Sequence, residues 1–397
     1  MTDRMPPSID VGRVRDEAEA TAFFRIACEA LLVSPSIADA WREREGEGNV
    51  RVARVDGKLA GGLAVQRMPQ WFGGERVPCG VVRAVAVAPE HRGSRVADAF
   101  LRATLAELRA DGIPLATLFP ATQLIYRRVG FEQAGAWVDY AIPVSELPDR
   151  DRSLPVQRVA PGDPALAPLY DTFASRSNGL LDRNPWLWRR TLSPQAPLEL
   201  SVHLLGPEGA PEGYLVTHTE HDQTQKRGTL RVRDRAFTTP RALVRARSFL
   251  AEHRSVVDTV RLNGGLVEPL LVGLSNQLQR PVRREDWMLR IVDVPRALAL
   301  RGYPDGLEAT IPLLVRDDVL EPREARYTLR VRDGAATVEP GGSGAVAVDV
   351  RGLAALYSGH MAPAELAALG YLDGDARKAS ALAAVFAGPT SWMNEIV

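Results

Sequence analysis

Apolar residues recur every three or four positions from Glu17 to Leu32, which predicts an amphipathic helix. Val50–Val55 and Leu59–Arg67 alternate about Asp56-Gly57, the pattern of two strands joined by a tight turn. Cys79 to Ala88 is a β-branched run that Pro89 ends. Val96 to Ala110 returns to helical periodicity and stops at Asp111-Gly112. Leu115–Phe119 reads as a short buried strand, Thr122–Val129 as a short helix closed by Gly130, and Trp137–Ile142 as a further strand.

Pro143 to Pro155 then holds three prolines and the charged run Pro-Asp-Arg-Asp-Arg, the composition of a linker. Beyond it the mixed pattern resumes. Pro164–Ser175 and Pro240–Glu252 read as helices. Leu198–Leu205, Gly213–Thr219, Thr229–Arg235 and Val257–Leu262 read as strands. From Trp287 a third segment offers strands at Met288–Val292, Leu307–Leu314, Ala325–Arg332 and Ala345–Val350. A helix is expected at Val294–Leu300, and Ala/Leu-rich helices at Arg351–Tyr357, Pro363–Leu369 and Ala376–Phe386. The expected organisation is an α/β (α+β) chain of three domains, 1–148, 149–286 and 287–397.

Composition narrows the class of function. The 397 residues carry 49 basic and 49 acidic side chains, so no basic excess points to nucleic acid or a membrane surface. Two cysteines, Cys28 and Cys79, favour a reducing, cytoplasmic setting, with one disulfide left open. Neither a signal peptide nor a membrane span is legible, and no Cys/His pairing has zinc spacing.

One stretch concentrates the candidate chemistry: Val82-Arg83-Ala84-Val85-Ala86-Val87-Ala88-Pro89-Glu90-His91-Arg92-Gly93-Ser94-Arg95-Val96-Ala97. It reads as strand, tight polar loop and helix start. Backbone N–H groups of Arg92, Gly93, Ser94, Arg95, Val96 and Ala97 would converge at a positive helix N-terminus, which suits a pyrophosphate. A bulge near Val85, Ala86 and Val87 would offer N–H groups to a thioester carbonyl. The same stretch also fits an ordinary strand-to-helix turn. After the next strand comes Ala121-Thr122-Gln123-Leu124-Ile125-Tyr126, with Gly130-Phe131 beyond. That places a phenol on a short helix beside a notch, or else a core tyrosine before a helix end.

These residues resemble the GCN5-related N-acetyltransferases, whose loop reads Arg/Gln-x-x-Gly-x-Gly/Ala. Arg92 and Ala97 match, but Arg95 stands at the glycine position, where it would either crowd a pyrophosphate or contact it. Over nearly its full length the chain is similar to the enhanced intracellular survival (Eis) acetyltransferases. The likeness runs through Asn184-Pro185-Trp186-Leu187-Trp188, Gly213-Tyr214, Trp287 to Pro295, Leu353 to Gly359 and Pro389 to Trp392. The resemblance implies two acetyltransferase-like domains, the second degenerate, then a sterol-carrier-protein-like domain. It implies acetyl-CoA bound by the first domain only, with no metal. Homohexamers are implied as well, and the exposed Trp-rich segment is compatible with assembly.

It also implies that the chain end folds into the first domain's active site. The Val397 carboxylate would then act as base and Tyr126 as acid, with the backbone of Val85 to Val87 stabilising the oxyanion. Glu395 and Glu90 are alternative carboxylates, and His91 reads as a loop residue. For the acceptor, Arg83, Trp41 and Glu395 are the candidates, and Trp71 and Phe72 fit packing better. Strand alternation puts Arg83 on the face of Val85 and Val87. Facing inward, Arg83 would disfavour a polycationic aminoglycoside and favour a carboxylate-bearing amine. The acceptor that the family resemblance implies is a primary amine, aminoglycoside-like or lysine-like. A repurposed biosynthetic acyltransferase and a non-catalytic binding module remain the alternatives.

Overall fold

The computed structural model describes residues 8–148, 150–193, 199–221 and 226–395. The first segment runs β1 (Ile9–Arg13), α1 (Glu17–Ala30), α2 (Ala38–Glu45), β2 (Val50–Val55), β3 (Lys58–Arg67), β4 (Gln70–Phe72), β5 (Glu75–Val77), β6 (Cys79–Val87), α3 (Val96–Ala110), β7 (Leu115–Leu118), α4 (Gln123–Arg127) and β8 (Glu132–Pro143). The second runs β9 (Val156–Val159), α5 (Leu166–Ala174), α6 (Pro185–Leu192), β10 (Ser201–Leu205), β11 (Gly213–Glu220), β12 (Gly228–Phe237), α7 (Pro240–Ala251), β13 (Val257–Gly264) and β14 (Arg280–Ile291). The third runs α8 (Val294–Leu300), β15 (Ala309–Arg316), β16 (Glu324–Arg332), β17 (Ala335–Pro340), β18 (Val346–Asp349), α9 (Val350–Tyr357), α10 (Pro363–Ala368), β19 (Leu372–Gly374) and α11 (Ala376–Val385).

The helices form where the apolar spacing requires them. In α3 the buried positions Val96, Phe100, Leu101, Thr104, Leu105 and Leu108 make one stripe. Asp16 caps α1 by accepting from the N–H of Glu19, and Thr239 caps α7 by accepting from Ala242.

The first two segments share one twelve-stranded sheet, in the order β1-β2-β3-β6-β7-β14-β8-β13-β12-β11-β10-β9. β14 reaches back across the sequence and lies antiparallel between β7 and β8. The pattern reading began this strand only at Met288. Its first half, Arg280 to Asp286, is polar and largely exposed, so no apolar alternation marks it. β13 pairs with the far edge of β8, and this fuses the two halves. The connection read as a linker is packed: Val144 and Leu147 are buried with the second segment's core, and Leu154 is buried as well.

The third segment is a separate five-stranded sheet, β17-β16-β15-β18-β19. Its helix α9 is buried along its length and packs on β8 and β14. Trp287, Leu289 and Ile291 of β14 thus share a core with Ile311, Leu313 and Val348. Cys28 and Cys79 are free thiols, buried in different clusters. Among the described residues no helix is long and apolar enough to cross a membrane.

Candidate active site

β6 and β7 are parallel neighbours only from Cys79 to Val81 against Leu115 to Thr117. Beyond that they part. On the other edge of β6 the ladder to β3 slips, so that Ala64 faces Arg83 and Gly62 faces Ala86. Ala84 and Val85 together oppose Leu63, and Ala84 takes φ 50°. This is a bulge: the extra residue is unpaired and the strand bends away.

The bulge also inverts the side-chain alternation that follows it. Val82, Val85 and Val87 pack toward α3, whereas Ala84 and Ala86 pack with Phe24 and Trp41 of α1 and α2. Arg83 therefore lies on the face opposite Val85 and Val87, contrary to the simple alternation rule. One inserted residue changes the parity of every position beyond it.

Between the parted strands lies a cleft of about 1080 Å³. Val87, Arg92, Gly93, Arg95, Val96 and Ala97 line it, with His91, Thr122, Leu124 and Arg128. Four other sequence-predicted residues, Val85, Ala86, Ser94 and Ala121, are not on its walls. Ala86 faces α1, the exposed Ser94 hydroxyl donates to the carbonyl of His91, and Ala121 is exposed just before α4. Val85 is set beside the cleft by the bulge.

The loop from Ala88 to Arg95 delivers α3 with Arg95 in the left-handed region and no side-chain cap. The N–H groups of its first turn are thus available where the dipole is positive. Arg92, Arg95 and Arg128 are exposed around this end and make no ion pair among the described residues. The third segment closes the cleft with Asp318, Arg351 and Tyr371. Arg351 is fixed by Asp318 and by the carbonyl of Arg127. The donors, charge and volume fit a nucleotide pyrophosphate with its attached chain.

Tyr126 on α4 is 4% exposed and belongs to the cluster of Val96, Leu118 and Met288, with its ring edge-on to Phe131 at 6.1 Å. It is not on the cleft wall, although Thr122, Leu124 and Ile125 just before it are. Burial raises its pKa above the ordinary phenol range, so the hydroxyl holds its proton at neutral pH.

The second half of the sheet has no such cradle. Only Thr238 and Thr239 connect β12 to α7, Thr239 caps the helix, and Pro240 removes one N–H from its first turn.

On the opposite face of β6 a second cleft, of about 580 Å³, opens between α2, α6 and the chain's tail. Glu43, Arg44, Trp186, Arg189, Arg190, Arg233, Asn394 and Glu395 are among its lining residues. Glu45 sits beneath, 1% exposed. It accepts from Trp41 Nε1 at 3.1 Å and Gln66 Nε2 at 3.2 Å, and pairs with Arg83 at 3.2 Å. The sequence reading missed Glu45 and the helix carrying it. The Trp41/Glu45 spacing of four was the available signal.

Trp41 thus positions Glu45 and is itself buried against Phe24. The guanidinium of Arg83 stacks on Trp186, 4.7 Å from the ring centroid. Trp186 is half-buried, and its indole N–H donates to the carbonyl of Arg44 at 2.6 Å. The Trp-rich segment is therefore largely committed within the chain. Trp71 and Phe72 are core residues in two separate clusters.

The tail reaches this cleft. Trp392 bridges to Ala136 of β8, and the Ser391 hydroxyl donates to the carbonyl of Ala134. Glu395 is not a surface acid: it is 7% exposed and pairs with Arg183, at 2.8 Å to Nε and 2.6 Å to Nη2. Arg183 in turn holds Asp234 through two bonds of 2.7 Å and stacks on Tyr170 at 3.8 Å. Glu90 is exposed beside the first cleft. Val397 lies outside the described residues.

Comparison with known proteins agrees with this architecture. Residues 13–134 and 179–291 each match an acetyltransferase (GNAT) domain, and residues 294–394 match a sterol carrier protein domain. A GCN5-related N-acetyltransferase from Anabaena variabilis is 32% identical, with a TM-score of 0.94, over 98% of this chain and 100% of its own. An uncharacterized N-acetyltransferase of Streptomyces griseus is 29% identical over 323 residues, 75% of this chain and 76% of its own. Eis1 of Mycobacterium abscessus shares the fold, with a TM-score of 0.81 at 23% identity, over 98% of this chain and 100% of its own. With a parted and bulged β6, an uncapped α3 and these relatives, the chain belongs to the GCN5-related N-acetyltransferases, in an Eis-like arrangement of two such domains and a sterol-carrier-like one, and is an acyltransferase.

Proposed function

We propose that the protein transfers an acetyl group from acetyl-CoA to a primary amine, using the first domain alone. The observation that carries this is the parting of β6 from β7 after Val81, followed along β6 by a bulge and then by the uncapped start of α3. Acetyl-CoA supplies a thioester carbonyl. The N–H groups of Gly93, Val96 and Ala97, with the side chains of Arg92 and Arg95, would hold its pyrophosphate. The backbone at Val85, taken out of the ladder, would donate to the carbonyl oxygen.

In the reaction a C–N bond forms and the C–S bond breaks; the ammonium loses two protons on its way to the amide, one through the base to solvent and one matched by the proton that the sulfur takes. Tyr126, kept protonated by burial, is the proposed proton donor to sulfur. The Val397 carboxylate is the proposed base, supported by the anchoring of the tail as far as Glu395 beside the second cleft. The second half would not bind acetyl-CoA, because its capped α7 leaves no cradle. Homohexamer formation is also proposed, and light scattering on the purified chain decides it.

Calorimetric titration with acetyl-CoA, combined with thiol release in the presence of amines, tests this reading. Micromolar binding is expected. Tyr126→Phe should lower kcat by about 10²- to 10⁴-fold with the acetyl-CoA affinity unchanged. Full turnover in that variant removes Tyr126 from the mechanism, and absence of binding removes the function.

A further inference from the structure

The charge on the second cleft is one-sided. Four arginines, Arg44, Arg189, Arg190 and Arg233, line it against two glutamates, Glu43 and Glu395. Glu395 already pairs with Arg183, and the buried Glu45 beneath is shared between Arg44 at 4.0 Å and Arg83 at 3.2 Å, so the cations remain in excess. Arg233 spends Nε and Nη2 on the carbonyls of Thr191 and Arg190, contacts that fix its position and leave its charge in place.

Arg83 adds a fifth cation behind Trp186, adjacent in sequence to the bulge at Ala84. It is 6% exposed, and its one ion pair is the 3.2 Å contact of Nη2 with Glu45. Its Nε and Nη1 are buried with no hydrogen-bond partner among the described residues. Buried donors are almost always paired, so two on one guanidinium beside a cleft mark a place where a ligand's oxygens belong.

The wall also offers unmet acceptors. Glu395 Oε2 and Asn394 Oδ1 are buried without a partner among the described residues. The arginines also feel one another. Burial, with repulsion from Arg190 and Arg44, pushes Arg83 down to about 9 despite Glu45. Burial likewise lowers Arg190, which Arg44 and Arg233 repel and Glu45 and Glu395 attract.

We infer that the second cleft is the acceptor site and takes an amine that also carries an anionic group, a carboxylate or phosphate, read by Arg83 and the arginine-lined wall; polycationic amines are excluded. The inference rests on the acetyltransferase reading and names the class of its acceptor. A polycation would bring its ammonium groups against five guanidinium groups in a partly desolvated cleft, where like charges repel strongly. An oxyanion offers those same groups bidentate acceptors. Glu395 Oε2 and Asn394 Oδ1 would take donors from the remainder of the molecule.

The test uses the full chain and matched amines: L-glutamate against its dimethyl ester, glucosamine 6-phosphate against glucosamine, and tobramycin as the polycation. Thiol release gives kcat/KM, and calorimetry on the CoA-loaded protein gives affinity. Each anionic member should exceed its neutral partner about tenfold or more, with tobramycin weakest. Arg44 and Arg189 are exposed on the rim, so a double variant Arg44→Gln, Arg189→Gln should fold. It should raise KM for the anionic members about tenfold, while the acetyl-CoA affinity stays at its original value. Equal performance within the pairs, or preference for tobramycin, overturns the inference and leaves the acetyltransferase reading standing. Failure to bind acetyl-CoA overturns that reading instead. The binding comparison within each pair, repeated without CoA, then still decides the charge preference.

Discussion

Arg95 holds a left-handed backbone, φ 63° and ψ 13°, at the position where the related loop pattern has glycine. An L-residue pays about 1–2 kcal/mol for that conformation. The loop therefore keeps the path that glycine would give it, and the arginine side chain projects at the cleft mouth without filling it. Sequence alone left crowding and contact equally open, and the geometry favours contact. Arg95→Gly should then stabilise the fold by up to about 1 kcal/mol, read as a higher urea midpoint. It should also weaken acetyl-CoA binding several-fold, with a smaller loss at high salt, since the missing contact is an exposed charge. Tighter binding in that variant would show that the side chain obstructs the loop.

At the scale of elements, the tail and β8 depend on one close approach. A Cβ on Gly135 would meet Trp287 Nε1 at 2.5 Å and the carbonyl oxygen and hydroxyl of Ser391 at 2.6 Å. None of these belongs to the end of a flexible chain, so the tail must yield. Gly135→Ala is expected to cost about 1–3 kcal/mol. Hydrogen exchange should rise across Ser391 to Glu395, and amine turnover should fall with the acetyl-CoA affinity retained. Unchanged exchange would mean that the tail is held by the Arg183–Glu395 pair alone. The bulge in β6 acts at the same scale. It follows the point where β6 leaves β7 and sets Val85 and Val87 on the face opposite Arg83, so one inserted residue separates the side chains of the first cleft from those of the second.

Across the whole molecule, charge pairs join elements that are distant in sequence. Glu19 on α1 holds Arg54 on β2, and Glu107 on α3 holds Arg51. The hydrogen bond from Arg54 lowers the Glu19 pKa, and that from Arg51 lowers the Glu107 pKa. A carboxylate whose folded pKa lies below its unfolded value of about 4.3 contributes stability above that value. The contribution is lost as pH falls through the folded pKa. The urea midpoint should thus be flat from pH 7 to about 5 and drop below about 4.3. The double variant Glu19→Gln, Glu107→Gln should start lower at pH 7 and show a shallower drop. A drop of equal size in both proteins would place the acid sensitivity elsewhere.

Local pattern determined a good deal by itself. The limits of α3, the Asp56-Gly57 hairpin and the strand–loop–helix around Arg92 follow from periodicity and from turn and breaker residues, which act over a few positions. The same stretch carried most of the residues that line one wall of the first cleft, because that wall is built from consecutive backbone. Tertiary structure alone decided the face of Arg83, since one bulged residue inverts alternation and leaves no mark on hydrophobic pattern. It alone decided the place of β14, whose polar half pairs with a strand more than a hundred residues earlier. The arginine-lined cleft is of the same kind. Its residues come from α2, α6, β12 and the tail, each of which reads as an ordinary solvated segment until packing brings their charges together.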